Sequence, residues 1–140
     1  MAPEFEVEGS YLLSEQFGEW PSFHDSEVLS IDFNRSKERG NPTILVKVHA
    51  FEMTPKVNEN GYYKLINHCD IEFNFESVED VTLNGFNHQN VISDICFTKE
   101  ADSNGVSKIL VEFEPCYGIE LEFKCQKVTV TSVTPSEPKK

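Results

Sequence analysis

The sequence predicts a mostly β protein (α+β with the strands dominant). We expect an antiparallel sheet of about seven or eight strands, forming a sandwich or a partly open barrel, behind one short N-terminal helix. Three observations predict this. Apolar and polar residues alternate with period two over most of the chain after residue 26. Asn-Gly pairs, which supply the positive φ of tight connections, recur at Asn60-Gly61, Asn84-Gly85 and Asn104-Gly105. No strand–helix–strand alternation appears, which argues against a parallel sheet.

The helix comes first. Between Ser10 and Trp20, the residues Leu13, Phe17 and Trp20 fall at i, i+4 and i+7 and form one apolar stripe. Ser10 or Ser14 is placed to cap the start. Pro21 disfavours helical geometry at Trp20, so the helix is expected to stop there.

The strands follow. "SEVLSIDFN" sets Leu29, Ile31 and Phe33 against Ser30 and Asp32, and "SKERGNP" reads as a polar turn. "TILVKVHAF" puts Ile44, Val46, Val48 and Ala50 on one face, with Lys47 and His49 on the other. "HCDIEFNFE" puts Cys69, Ile71, Phe73 and Phe75 on one face, opposite Asp70, Glu72, Asn74 and Glu76. "VTL" is a short strand. "VISDICFT" is two-sided, with Val91, Ile95 and Phe97 against Ile92 and Cys96. "SKILVEFE" buries Ile109, Val111 and Phe113, and "GIELEFKC" buries Ile119, Leu121 and Phe123. "KVTVTSV" follows at once, across a bulge at Gln126-Lys127. One domain over residues 1–134 and a frayed tail over 135–140 are expected.

Charge narrows the function. The chain of 140 residues has 24 acidic and 12 basic residues, for a net charge of −12. Phosphate contacts need Lys and Arg, so nucleic acid is disfavoured as a direct ligand, and so is a membrane surface. The acidity serves solubility, or it steers a basic protein partner. The N-terminal stretch "MAPEFEVEGS" lacks the basic and apolar regions of a secretory signal, and no apolar run reaches the length of a membrane span. A cytoplasmic protein is the expectation. The four cysteines, Cys69, Cys96, Cys116 and Cys125, form no C-x-x-C pair, so free thiols are expected. Cys69 and Cys125 fall on apolar strand faces and read as core.

The acidic residues are patterned. Glu72 and Glu76, Glu112 and Glu114, and Glu120 and Glu122 sit on outward faces of strands. If the last two strands pair as a hairpin, their like charges lie close, which is unfavourable, and Lys108 and Lys124 relieve it only in part. Two readings are open: a solvated face tolerated at physiological salt, or a docking surface for a cationic partner.

Two further stretches carry candidate chemistry. "EWPSFHDSE" collects Trp20, Pro21, Phe23, His24, Asp25 and Glu27. Neither strand nor helix geometry converges His24, Asp25 and Glu27 on one ion, so no metal or cofactor is expected and a building role is favoured. Trp20 then closes the helix over one end of the sheet, Pro21 fixes the turn, Phe23 enters the core, and His24 and Asp25 pin the first strand by hydrogen bonds. "LNGFNHQNVIS" is either a binding loop carrying Asn87, His88 and Gln89 or a turn whose amides satisfy its own backbone. No catalytic set stands out. There is no G-x-S-x-G and no glycine-rich phosphate loop, and the Cys116 thiol has acidic flanks at Glu114 and Glu120 rather than the positive neighbourhood a catalytic thiol needs.

"FGEWPSFHDSEVLSIDFNR", "HAFEMTPKVNENGYYKLINH", "VEDVTLNGFNHQNVISDI" and "YGIELEFKCQKVTVTSV" together resemble the immunity protein 50 family, from Phe17 to Val133. The resemblance implies a cytosolic antidote of a bacterial polymorphic toxin system, which protects its cell by binding a cognate toxin domain. It carries over no catalytic residue. An acidic surface suits a basic toxin partner, and the lack of a catalytic set suits a stoichiometric binder rather than an enzyme. Two alternatives remain. One is a small metal- or ligand-dependent enzyme using His24, Asp25, His68 and His88. The other is a structural or homo-oligomeric module whose edge strands pair.

Overall fold

The computed structural model describes residues 2–36, 41–101 and 103–138. These form one helix, α1 (Tyr11–Phe17), and eight strands: β1 (Glu27–Asn34), β2 (Thr43–Val57), β3 (Tyr63–Glu76), β4 (Glu79–Asn84), β5 (Val91–Ala101), β6 (Ser107–Tyr117), β7 (Glu120–Cys125) and β8 (Lys127–Pro135). All neighbouring strands are antiparallel, in the order β4-β7-β6-β5-β1-β2-β3-β8. The architecture is mostly β, as the period-two pattern requires. It is one open sheet rather than two separate ones.

Two corners fold this sheet on itself. At the end of β3, Ser77 adopts φ 58, and the chain passes from the β3–β8 ladder into the β4–β7 ladder. The partner strand turns at Gln126, whose N–H donates to Glu76 O at 2.9 Å. Glu76 pairs with Lys127 before the corner and Glu79 with Lys124 after it. The bulge expected at Gln126-Lys127 is thus the place where a ribbon bends. The bend brings the two halves of the sheet face to face. Phe75 of β3 meets Phe123 of β7 edge-on, with ring centroids 4.8 Å apart, although several strands separate them in the sheet. At the opposite side the halves meet at a short seam. Glu27 pairs with Val91, and Val28 N–H donates to Asn90 O.

The core fills the space between the halves. Ile44, Val46, Val48 and Ala50 of β2 are buried, as are Cys69, Ile71, Phe73 and Phe75 of β3. Ile109, Val111 and Phe113 of β6 lie opposite Cys125, Phe123 and Leu121 across the β6–β7 ladder, all of them buried, and Ile119 is buried just before β7. Cys69 and Cys125 are free, buried thiols.

Three details differ from the pattern read in the sequence. The helix ends at Phe17, not Trp20, because Gly18 takes a left-handed φ of 83 and its N–H donates to Ser14 O. Glycine adopts this geometry without a side-chain clash, so it stops the helix before Pro21 can. In β1 the register shifts between Val28 and Ser30, so Val28 is buried while Phe33 is 50% exposed. In β5 a shift between Ile92 and Asp94 turns both Ile92 and Ile95 inward. A bulge inserts one residue and reverses the inside–outside phase beyond it, which strict alternation cannot anticipate.

Segments near both termini attach to the sheet. Val130 N–H donates to Glu8 O, which covers part of the β8 edge. Strand β8 runs through Pro135, and Ser136 N–H donates to His68 O at 3.0 Å. Lys139 and Lys140, and residues 37–40 of the turn expected from the sequence, lie outside the described residues.

Candidate functional site: a histidine cleft and an acidic face

The "WPSFHDSE" stretch builds the seam. Trp20 packs edge-on against Phe23 and Phe97, with centroids 6.0 and 5.9 Å away. Phe23 is fully buried against Phe73, and Pro21 is buried beside it. Asp25 adopts φ 65, and its N–H donates to Ile92 O at 2.9 Å. The backbone of Asp25 therefore ties β1 to β5. The side chains of His24 and Asp25 stay exposed, with His24 Nε2 3.6 Å from Asp25 Oδ2.

On the other side of the seam, Asn87 and Asn90 close the loop before β5. Asn87 N–H donates to Asn90 Oδ1 at 2.9 Å, and Asn90 Nδ2 donates to Asn87 O at 2.8 Å. Asn87 Oδ1 also accepts from Gln89 N–H. Gly118, at φ 86, lets this loop pack against the β6–β7 turn, because a Cβ there would strike Gln89 O. Asn87 thus spends its amide on its own loop. His88 and Gln89 remain exposed.

Beyond the seam, the long β2–β3 hairpin rises as an arm. Between arm and seam lies an open cleft of about 740 Å³. Asp25, Glu27, His88 and Gln89 line it from the seam, and Tyr62, Tyr63, His49 and His68 from the arm. Of the histidines proposed for a catalytic cluster, His68 and His88 meet here with Asp25. His24 lies instead in a separate shallow pocket beside Phe17 and Pro21. Among the described residues, no group of three or more His, Cys, Asp and Glu is placed to hold a metal ion.

The floor of the cleft is a hydrogen-bonded chain. The β2–β3 register sets His49 directly opposite Asp70, with His68 on the adjacent diagonal. His49 Nδ1 lies 3.0 Å from Asp70 Oδ1, and His49 Nε2 lies 3.1 Å from His68 Nδ1. The two imidazoles stack with 18° between their planes. Ser136 caps the chain and donates to Asp70 Oδ1 at 3.2 Å. An ionised carboxylate only accepts, so His49 carries its proton on Nδ1 when neutral. Its Nε2 then accepts from His68 Nδ1–H, which leaves His68 Nε2 with a lone pair. Burial, followed by the positive field of His49, pushes the His68 pKa below 6.5, and Glu137 opposes them.

His49 is only 3% exposed. In the sequence it reads as an outward residue on a strand, and no local signal marks it. Only the register of β2 on β3, with Ser136 returning along β8, encloses it.

The acidic candidates divide between two faces. Glu112 sits directly opposite Glu122 across β6–β7, Glu114 opposite Asp94 across β5–β6, and Glu120 opposite Asn84. Cys96, opposite Glu112, places its Sγ 3.2 Å from Glu114 Oε1. Burial and that hydrogen bond push its pKa up to about 12. Glu72 and Glu76 lie on the outer face of the other half. Lys47 is opposite Glu72, and Lys127 Nζ lies 2.8 Å from Glu8 and 3.9 Å from Glu76. The hydrogen bond to Glu8 chiefly raises the Lys127 pKa. Glu72 and Glu76 are therefore offset by cations, whereas Glu112 faces its own kind.

The family model for immunity protein 50 matches residues 9–136. The chain belongs to the immunity protein 50 family. For an Imm50 chain, the family's description implies an immunity protein against a toxin. The matched span takes in the seam, the arm, the acidic face and Ser136, but not Glu8 or Glu137. No curated protein and no solved structure matches the chain. Among the described residues, no helix is long and apolar enough to cross a membrane.

Proposed function

We propose that this Imm50 protein neutralises a cognate bacterial toxin by stoichiometric binding in the cytoplasm, and that the outer face of β5, β6 and β7 is the surface that draws the toxin in. The partner is a basic protein domain, with neither nucleic acid nor membrane as a direct ligand. The observation that carries this reading is the Glu112–Glu122 register, flanked by Glu114, Asp94 and Glu120. Like charges placed opposite each other cost stability. A cationic surface would relieve that cost on docking, and the net charge of −12 steers such a partner from a distance.

The test uses the toxin domain expected to be encoded beside this protein's gene. Association measured by stopped flow should be fast at low salt and should fall steeply as salt rises. Neutralising Glu112, Glu114, Glu120 and Glu122 together to Gln should slow it by about tenfold or more. A tight complex that forms at the same rate in all salt concentrations removes this face as the steering surface.

One observation favours a rival reading. The Asp70–His49–His68 chain beside a cleft is the arrangement a proton-transferring enzyme would use. Stoichiometry separates the two: a binder neutralises the toxin only at one equivalent and leaves its mass unchanged, whereas a catalyst of toxin modification acts below one equivalent and changes that mass.

A further inference from the structure

We infer that the cleft between the β2–β3 arm and the Asp25–Val91 seam is the anchor site for an arginine side chain of the partner protein. This rests on the proposed function, and it names a second, specific contact beyond the acidic face.

The cleft offers acceptors. Asp25 and Glu27 contribute two carboxylates from the seam, against one cation, Lys64, on the arm, and all three line the opening. On the arm, the Asp70–His49 hydrogen bond fixes the tautomer of His68 and leaves its Nε2 as a lone-pair acceptor. Depression of the His68 pKa below 6.5 keeps that ring neutral, so it does not repel a cation. His49 is oriented by partners on both nitrogens, which makes the floor a fixed one.

The cleft also offers aromatic faces. Tyr62 and Tyr63 are 72% and 57% exposed at the tip of the arm, and both border the same opening, together with Phe51. Exposed tyrosines beside carboxylates fit a flat cation that stacks as well as donates. Guanidinium does both, with five N–H donors in one plane, whereas ammonium is a compact, strongly hydrated point charge. The opening, about 740 Å³ in volume, has room for such a side chain and its neighbours. Centrally placed arginines paired with tyrosines are typical energetic anchors of protein interfaces.

The acidic face and the cleft then have different tasks. The face acts over a distance and sets the association rate. The cleft acts on contact and sets the dissociation rate.

The free protein can be tested with N-acetyl-arginine amide, followed by the imidazole resonances of its four histidines. The expected result is saturable perturbation of His68 and His88 at about 10 mM ligand, with N-acetyl-lysine amide at least about fivefold weaker. The double variant Asp25→Asn, Glu27→Gln should abolish the response. Asn tolerates the left-handed backbone at residue 25, so this variant keeps the fold. Equal binding of the lysine amide or an unchanged response in the double variant each overturns the proposal. In the complex, the same variant should dissociate from the toxin at least about tenfold faster with little change in association. Failure of these arms leaves the proposed function standing. A wild-type chain that binds no toxin domain at all removes that function, and the anchor with it.

Discussion

Glu112 and Glu122 face each other directly across the β6–β7 ladder. Two carboxylates in that register repel. Replacing one with an isosteric neutral group should therefore stabilise the free protein. Glu112→Gln is expected to gain about 0.2–1 kcal/mol by urea denaturation at low salt. The gain should shrink as salt approaches about 0.5 M, because screening already quiets the pair. Loss of stability on this substitution would show that the pair is bridged rather than repelling.

Trp20 joins the helix end to the core through Phe23 and Phe97. Trp20→Ala should cost about 3 kcal/mol in urea denaturation, at the low end for a large aromatic because one side of the ring still meets solvent. Trp20→Phe should cost much less. The indole Nε1 is buried without a partner among the described residues, so the phenyl ring removes an unsatisfied donor while keeping the edge contacts. A thermal melt unmoved by Trp20→Ala would contradict its closing role.

His68 gives the stability a pH dependence of definite sign. Its folded pKa lies below the usual 6.5, chiefly through burial. The unfolded chain thus binds a proton more readily than the folded one, so this contribution is complete above about pH 6.5 and is lost as pH falls below it. The urea midpoint should drop between about pH 7 and pH 5, with a shallower drop in His68→Gln. An identical slope in that variant would assign the dependence elsewhere.

Asn90 is 3% exposed and satisfies both the N–H and the carbonyl of Asn87. Asn90→Ala leaves two backbone groups without that partner and should cost about 1–3 kcal/mol. Asn90→Asp keeps the acceptor, loses the donor and should fall between wild type and Ala. Faster amide exchange at residues 87–89 in Asn90→Ala is the site-specific readout.

The four thiols should react unequally. Burial pushes Cys69 and Cys125 up to about 12, and Cys96 reaches about 12 beside Glu114. Cys116 is exposed. Alkylation near pH 8 followed by mass spectrometry should therefore label Cys116 first, at one equivalent. Early modification of Cys96 would mean that the β5–β6 face opens readily.

Much of the fold was legible because each strand carries its own instruction. Alternation in "TILVKVHAF", "HCDIEFNFE", "SKILVEFE" and "GIELEFKC" fixes which side of each strand is buried, whatever its neighbours are. Gly18 and the bulges in β1 and β5 limited that reading. A bulge shifts phase by one residue, and its energetic reason lies in the strand alongside. The sites were less legible. The proximity of Glu112 to Glu122 follows from a short hairpin, so a local reading reached it. His49 followed from nothing local.

By itself, the amino-acid sequence determined the fold class, the identity of most core residues, the excess of negative charge and the likeness to Imm50. These depend on residue type and near-neighbour spacing. Only the tertiary structure decided that Asp70, His49, His68 and Ser136 form one hydrogen-bonded chain, that Glu72 and Glu76 are offset by Lys47 and Lys127, and that the seam faces the arm across a cleft. Each of these relations joins residues well separated in the chain, across a long hairpin or between strands that are not consecutive. Such relations are set by strand register and by the two corners at Ser77 and Gln126, which are properties of the folded sheet as a whole.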